Sequence, residues 1–143
     1  MQKFIKALGV VCAALVVAAS PAAAQEFKVI VNSANTAGDI PASVVGKIFL
    51  KEVTKFPNGS AAVPVDLNKA SAARAAFSKA VVGRPVAAVE TFWQQQIFSG
   101  KEVPPPSKAT DDEVIAFVKA NPGAIGYVSA GAGTAGVKVI DVK

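Results

Sequence analysis

Residues 110–128, TDDEVIAFVKANPGAIGYV, carry two hydrophobic patterns in succession. Val114, Ile115, Phe117 and Val118 recur at helical spacing behind an acidic start, whereas Ala124 to Val128 is a short run that reads as a buried strand. Thr110 with Glu113 matches a capping box, in which each side chain satisfies a backbone donor at the helix start. Asn121-Pro122-Gly123 then stops the helix, because proline cannot continue it and Asn and Gly accept turn conformations. A helix that passes through a tight turn into a buried strand is a unit of α/β architecture, and it directs the reading of the remaining chain.

Upstream and downstream the alternation continues. Phe27 to Val31 reads as a first strand that enters a polar loop at Asn32, Ser33 and Asn35. Pro41 fits the first turn of a helix that runs to about Glu52, with Val44, Val45, Ile48 and Phe49 on its buried face. Pro57-Asn58-Gly59 signals a tight turn, and Ala62 to Asp66 a strand whose Pro64 demands an edge position. A helix is expected over Ala70 to Val81, stopped by Gly83, and another from Pro85 to Gly100 with Val89, Phe92, Trp93 and Ile97 turned inward. Pro104-Pro105-Pro106 is a stiff connection, and Val137 to Val142 a last strand after the flexible Gly131-Ala132-Gly133. These elements predict an α/β sandwich with about four helices and a mixed or mainly parallel sheet.

Composition narrows the chemistry. The single cysteine, Cys12, lies in the N-terminal apolar run, and histidine is absent. The commonest general base and the usual N and S metal ligands are therefore missing, and no paired carboxylates stand at a catalytic spacing. Asp111-Asp112-Glu113 reads as a helix start rather than a calcium loop, so neither a metal, a cofactor nor an enzyme is expected.

Residues 1–24 have the layout of a secretory signal: Lys3 and Lys6, then an apolar run from Ala7 to Ala19 too short to span a bilayer, then Ala22-Ala23-Ala24. Cleavage is expected between Ala24 and Gln25, leaving residues 25–143 as one periplasmic or secreted domain. Removing Lys3 and Lys6 from the 15 Lys/Arg leaves 13 against 10 Asp/Glu. That excess is mild and its basic residues are scattered, which argues against nucleic acid and suits an anionic ligand or partner.

The strongest candidate site is Ser71-Ala72-Ala73-Arg74, where the chain leaves a strand and enters a helix. A hydroxyl, the first helical amides and a guanidinium fork together suit an oxyanion. The same residues also fit a plain N-cap followed by a solvated arginine. Asn32, Ser33 and Asn35 are secondary ligand candidates, with an ordinary polar loop as the alternative.

Four ordered segments add to this reading: Lys47-Ile48-Phe49-Leu50, Phe56-Pro57-Asn58-Gly59, Ser71 to Phe77, and Asn121 to Val128. Together they resemble one lobe of the phosphate ABC transporter substrate-binding protein family, a short form of a type II periplasmic-binding-protein-like fold. The resemblance implies inorganic phosphate or a similar oxyanion as ligand at Ser71, Ala72, Ala73 and Arg74, and uptake or sensing as the setting. It further implies docking to a membrane transporter or sensor. In the family pattern a Ser-Gly-Thr opens this helix, followed by a basic residue and Phe; Ser71, Arg74 and Phe77 keep that frame. Ala72 and Ala73 stand for the Gly and Thr, and Leu67, beside Asp66, stands for a binding Arg. The other reading of a lone lobe is an interaction module that docks to a membrane protein or self-associates.

Overall fold

A computed structural model describes residues 26–143; the expected signal segment and its cleavage point lie outside the described residues. Among the described residues six short strands and four α-helices follow in the order β1 (Phe27–Asn32), α1 (Ala42–Phe49), β2 (Val63–Pro64), β3 (Asp66–Leu67), α2 (Ala72–Phe77), α3 (Val86–Phe98), β4 (Ser107–Lys108), α4 (Asp111–Ala120), β5 (Ala124–Ser129) and β6 (Val137–Ile140). The main sheet has the order β2-β5-β1-β6, and β3 pairs with β4 in a separate two-stranded piece.

The sheet is mixed, and its parallel part is small. β1 lies antiparallel to both β5 and β6, with Val29 opposite Tyr127 and Ile140, whereas β2 lies parallel to β5. The run from Ala62 to Asp66 does not form one strand: β2 ends at Pro64, and Asp66 begins β3, which turns to Ser107. Pro64 sits on the sheet edge, as its missing N–H requires. The pairing of Ser107 and Lys108 in β4 was hidden behind the three prolines, whose sequence carries no strand period.

Helices cover both faces, and β5 shows why. Side chains alternate across a strand, so Gly126 and Tyr127 look in opposite directions. Gly126 faces α4, where an added Cβ would lie 2.8 Å from methyl groups of Val114 and Val65. Tyr127 faces α1 and α2, stacking on Phe77 with ring centroids 3.9 Å apart and planes 8° from parallel. Phe49 and Phe27 meet Phe77 edge-on at 4.7 and 5.5 Å, which completes an aromatic core between the helices and the sheet. Gly46 of α1 lets the chain after α2 approach so closely that a Cβ there would be 2.6 Å from the Val81 carbonyl oxygen.

Helix ends follow local chemistry. Thr110 accepts a hydrogen bond from the Glu113 amide at 3.2 Å, but the Glu113 carboxylate reaches the Ala109 amide rather than returning to Thr110. The helix expected over 70–81 begins at Ala72 and continues past Phe77 as a wider π-helical turn over Ser78–Val82, ended by Gly83 at φ 77°. α1 stops at Phe49, and Lys51, at φ 56°, turns the chain before Glu52. α3 closes in a Schellman motif, with Gly100 at φ 67° and the amides of Gly100 and Lys101 bonded to the Ile97 and Gln96 carbonyls. Val89 and Trp93 are buried as expected; Ile97 is not, being 53 % exposed, because α3 ends beyond the body that would cover it.

Candidate functional site

The two candidate groups lie at opposite ends of the sheet. β2 runs parallel to β5, so the chain that continues through β3 to Ser71 leaves where β5 finishes and β1 starts. Asn32 to Asn35 follow β1 at its far end, about 20 Å away along a six-residue strand. One small ligand cannot touch both.

Ser71 occupies the N-cap of α2 with extended backbone angles, yet its hydroxyl makes no capping hydrogen bond. The helix is short, at six residues, and its first internal bond runs from the Ala75 amide to the Ser71 carbonyl at 3.2 Å. The earlier amides have no partner within a helix. Ala72 is exposed, whereas Ala73 is buried in the core.

Arg74 is not a solvated side chain. Only 8 % exposed, it donates to the Leu67 carbonyl at 2.8 Å and lies 3.4 Å from the Asp66 carboxylate. Asp66 in turn accepts a short hydrogen bond from the Tyr127 hydroxyl, whose oxygen accepts from the Leu67 amide at 3.2 Å. A cation from α2, a carboxylate from β3 and a phenol from β5 thus form one buried cluster. Burial pushes the Asp66 carboxyl above its ordinary value, against the opposing pull of the Arg74 charge and the Tyr127 hydrogen bond. Burial and the Asp66 charge together push the Tyr127 hydroxyl upward, so it remains a proton donor. Sequence reasoning placed Asp66 beside the site but assigned Tyr127 to packing; a tyrosine within a buried strand requires a partner for its hydroxyl, and that was the available signal.

Asp66 and Arg74 of this cluster line an open groove of about 430 Å³ between this corner and α3; of the candidate residues Ser71, Ala72, Ala73 and Arg74, only Arg74 is among the residues that line it. Arg74, Asn68 and Lys69 border one side, and Trp93, Ile97 and Pro104 the other. Lys69 is well exposed and stands 3.9 Å from Glu90, a loose pair that leaves its ammonium accessible. The groove therefore combines polar donors, the two cations Arg74 and Lys69, and the two carboxylates Asp66 and Glu90 with an apolar wall. Among the described residues no cluster of His, Cys, Asp or Glu could hold a metal ion.

At the other end, Asn32 serves the fold. Its amide donates to the Val118 and Lys119 carbonyls at 2.8 and 3.1 Å, capping the end of α4, and its oxygen accepts from the Ala34 amide. Ser33 is exposed. Asn35 is buried, its oxygen accepting from the Ala37 amide and from Asn58, while its Nδ2 has no partner. Asn35, Thr36, Asn58 and Ser60 line a second hollow of about 410 Å³ that no charged side chain borders.

No family model matches the chain, and no curated protein sequence matches it. Solved structures do. A protein described as a phosphate ABC transporter substrate-binding protein, with bound phosphate, from Clostridium perfringens superposes with a TM-score of 0.64 at 19% identity, over 82% of this chain and 44% of that one. An ABC-type phosphate transport receptor from Vibrio cholerae gives 0.60 at 17% identity, over 80% and 45%. PstS from Borrelia burgdorferi gives 0.62 at 12% identity, over 82% and 47%. The chain has the fold of these binding proteins. It spans less than half the length of each, which agrees with a single lobe of a periplasmic-binding-protein-like architecture.

Proposed function

We propose that the chain is an extracytoplasmic, non-catalytic solute-binding-like protein that takes phosphate or a related oxyanion in the groove beside Ser71, Ala72, Ala73 and Arg74, in the service of transport or sensing. Residues 1–24 would export it, and residues 25–143 would form the binding lobe. One observation carries the reading: a buried arginine borders an open groove at the end of a fold whose solved neighbours are phosphate-binding proteins. The Asn68 and Lys69 side chains border the same groove and add donors. Binding is weak in this reading, because Asp66 already balances Arg74 and the open groove leaves the anion in contact with water. Calorimetric titration with phosphate at low ionic strength tests it, with the charge-balanced double variant Asp66→Asn/Arg74→Gln as control. Heat in the wild type that disappears in the double variant supports the reading; absence of heat at high millimolar phosphate overturns it.

A second reading, an interaction module that docks to a membrane transporter or sensor or to itself, is favoured by a different observation. Ile97, Phe98 and Val103 present large apolar side chains to solvent around the end of α3, with exposures of 53 %, 96 % and 58 %. Under this reading Phe98→Glu abolishes partner capture and leaves anion binding unchanged.

A further inference from the structure

Helix α3 turns Val89 and Trp93 toward the body and presents Thr91, Gln94, Gln95 and Phe98 to solvent. Those four positions stand at i, i+3, i+4 and i+7, and with Ser99 they enclose a shallow hollow on the helix surface. That spacing is the four-residue hole that receives a side chain from a second packed helix. The face thus carries both a knob, Phe98, and a hole of the matching kind.

Charge sets the direction of pairing. Glu90 flanks the start of this stripe, partly exposed and only loosely held by Lys69 at 3.9 Å. Lys101 is exposed just past its end, about three helical turns further on, and is held there by its Schellman bond to Gln96. A second copy laid parallel would set like charges together. Laid antiparallel, each Lys101 meets the other copy's Glu90 while each Phe98 enters the other's hollow. A face that is complementary to itself under a two-fold axis describes an isologous contact.

We propose that α3 is the interface of a symmetric antiparallel dimer of this chain, with Phe98 as its anchor and the Glu90 and Lys101 pairs as its direction-setting contacts. The proposal rests on the second reading above and needs no ligand, although Glu90 and Gln94 also line the groove: a protein that dimerises without binding phosphate retains the one and loses the other. Sedimentation equilibrium on protein recovered with its natural N-terminus, from low micromolar to near-millimolar concentration, provides the test. The wild type is expected to dimerise within that range, and Phe98→Glu to remain monomeric with unchanged thermal unfolding. Glu90→Lys or Lys101→Glu alone weakens the dimer about tenfold, as two reversed surface pairs imply, and combining the two reversals restores it. A wild type that stays monomeric throughout, a Phe98→Glu protein that still dimerises, or a double reversal no better than either single one overturns the proposal, including where α3 proves to bind a different protein.

Discussion

Replacing Asp66 by Asn converts the buried pair into an uncompensated arginine without changing side-chain volume, and the amide oxygen still accepts from Tyr127. At 3.4 Å the attraction between the two charges is about 5 kcal/mol for an effective dielectric constant of about 20. Desolvation offsets that attraction and at Asp66 exceeds it, as the raised carboxyl shows, so exchanging the carboxylate for a neutral amide leaves the net stability little changed while Arg74 loses its counter-charge. The melting temperature should therefore stay within about 5 °C of the wild type. Arg74 borders the groove, so an external anion can then replace the lost carboxylate. Phosphate at about ten times its dissociation constant returns about 1.4 kcal/mol. Thermal unfolding followed by circular dichroism, with and without phosphate, should therefore show a phosphate-dependent rise of several degrees in Asp66→Asn and little in the wild type. Acid provides a second arm. Because the folded protein holds the Asp66 proton at higher pH than the unfolded chain, this carboxyl contributes stability that grows as pH falls through its raised value and is complete below the unfolded value of about 4. Wild-type affinity for sulfate, whose charge is constant there, should strengthen over the same window, and Asp66→Asn should lack that dependence. A fall of more than about 10 °C in Asp66→Asn would show that the fold needs the ionised carboxylate and would refute the raised carboxyl; a melting temperature that neither phosphate nor sulfate raises would show that the groove admits no oxyanion to Arg74.

Two further substitutions test the scaffold around that pair. Tyr127→Phe keeps the stack on Phe77 but leaves the Leu67 amide and the Asp66 carboxylate without the hydroxyl, and chemical denaturation should report a loss of about 1–3 kcal/mol. Gly126→Ala forces a methyl group to within 2.8 Å of Val114 and Val65, and the same assay should show a loss of about 1–3 kcal/mol with an unchanged m-value.

The α/β alternation was legible because it rests on local period and punctuation. Pro64 at the edge, Gly83 and Gly100 at helix ends and Thr110 as a cap are each settled within a few residues. Strand direction was less legible: β5 follows α4 as in a parallel unit, yet its main partner β1 runs against it, and nothing local encodes that choice. The corner at Ser71 was legible as a strand end meeting a helix start. Its electrostatics were not, since the approach of Asp66 and Tyr127 to one another joins residues 61 positions apart. Nor was the exposure of Ile97 and Phe98, because apolar spacing on a helix specifies a face but not whether the fold supplies anything to cover it.

A buried arginine needs a negative partner, and the chain can supply one from within or admit one from outside. Four positions at this corner lean toward the internal solution. Leu67 is apolar and fully buried, Ala72 and Ala73 bring no side-chain donors, and Asp66 places its carboxylate against the guanidinium. A tethered carboxylate competes as an intramolecular ligand, at an effective concentration that free phosphate reaches only in the millimolar range or above. Lys69, accessible at the groove mouth, raises the local concentration of anions without removing that competitor. Occupancy of the groove in the wild type is therefore governed first by the protonation and position of Asp66, and only then by the affinity of Arg74.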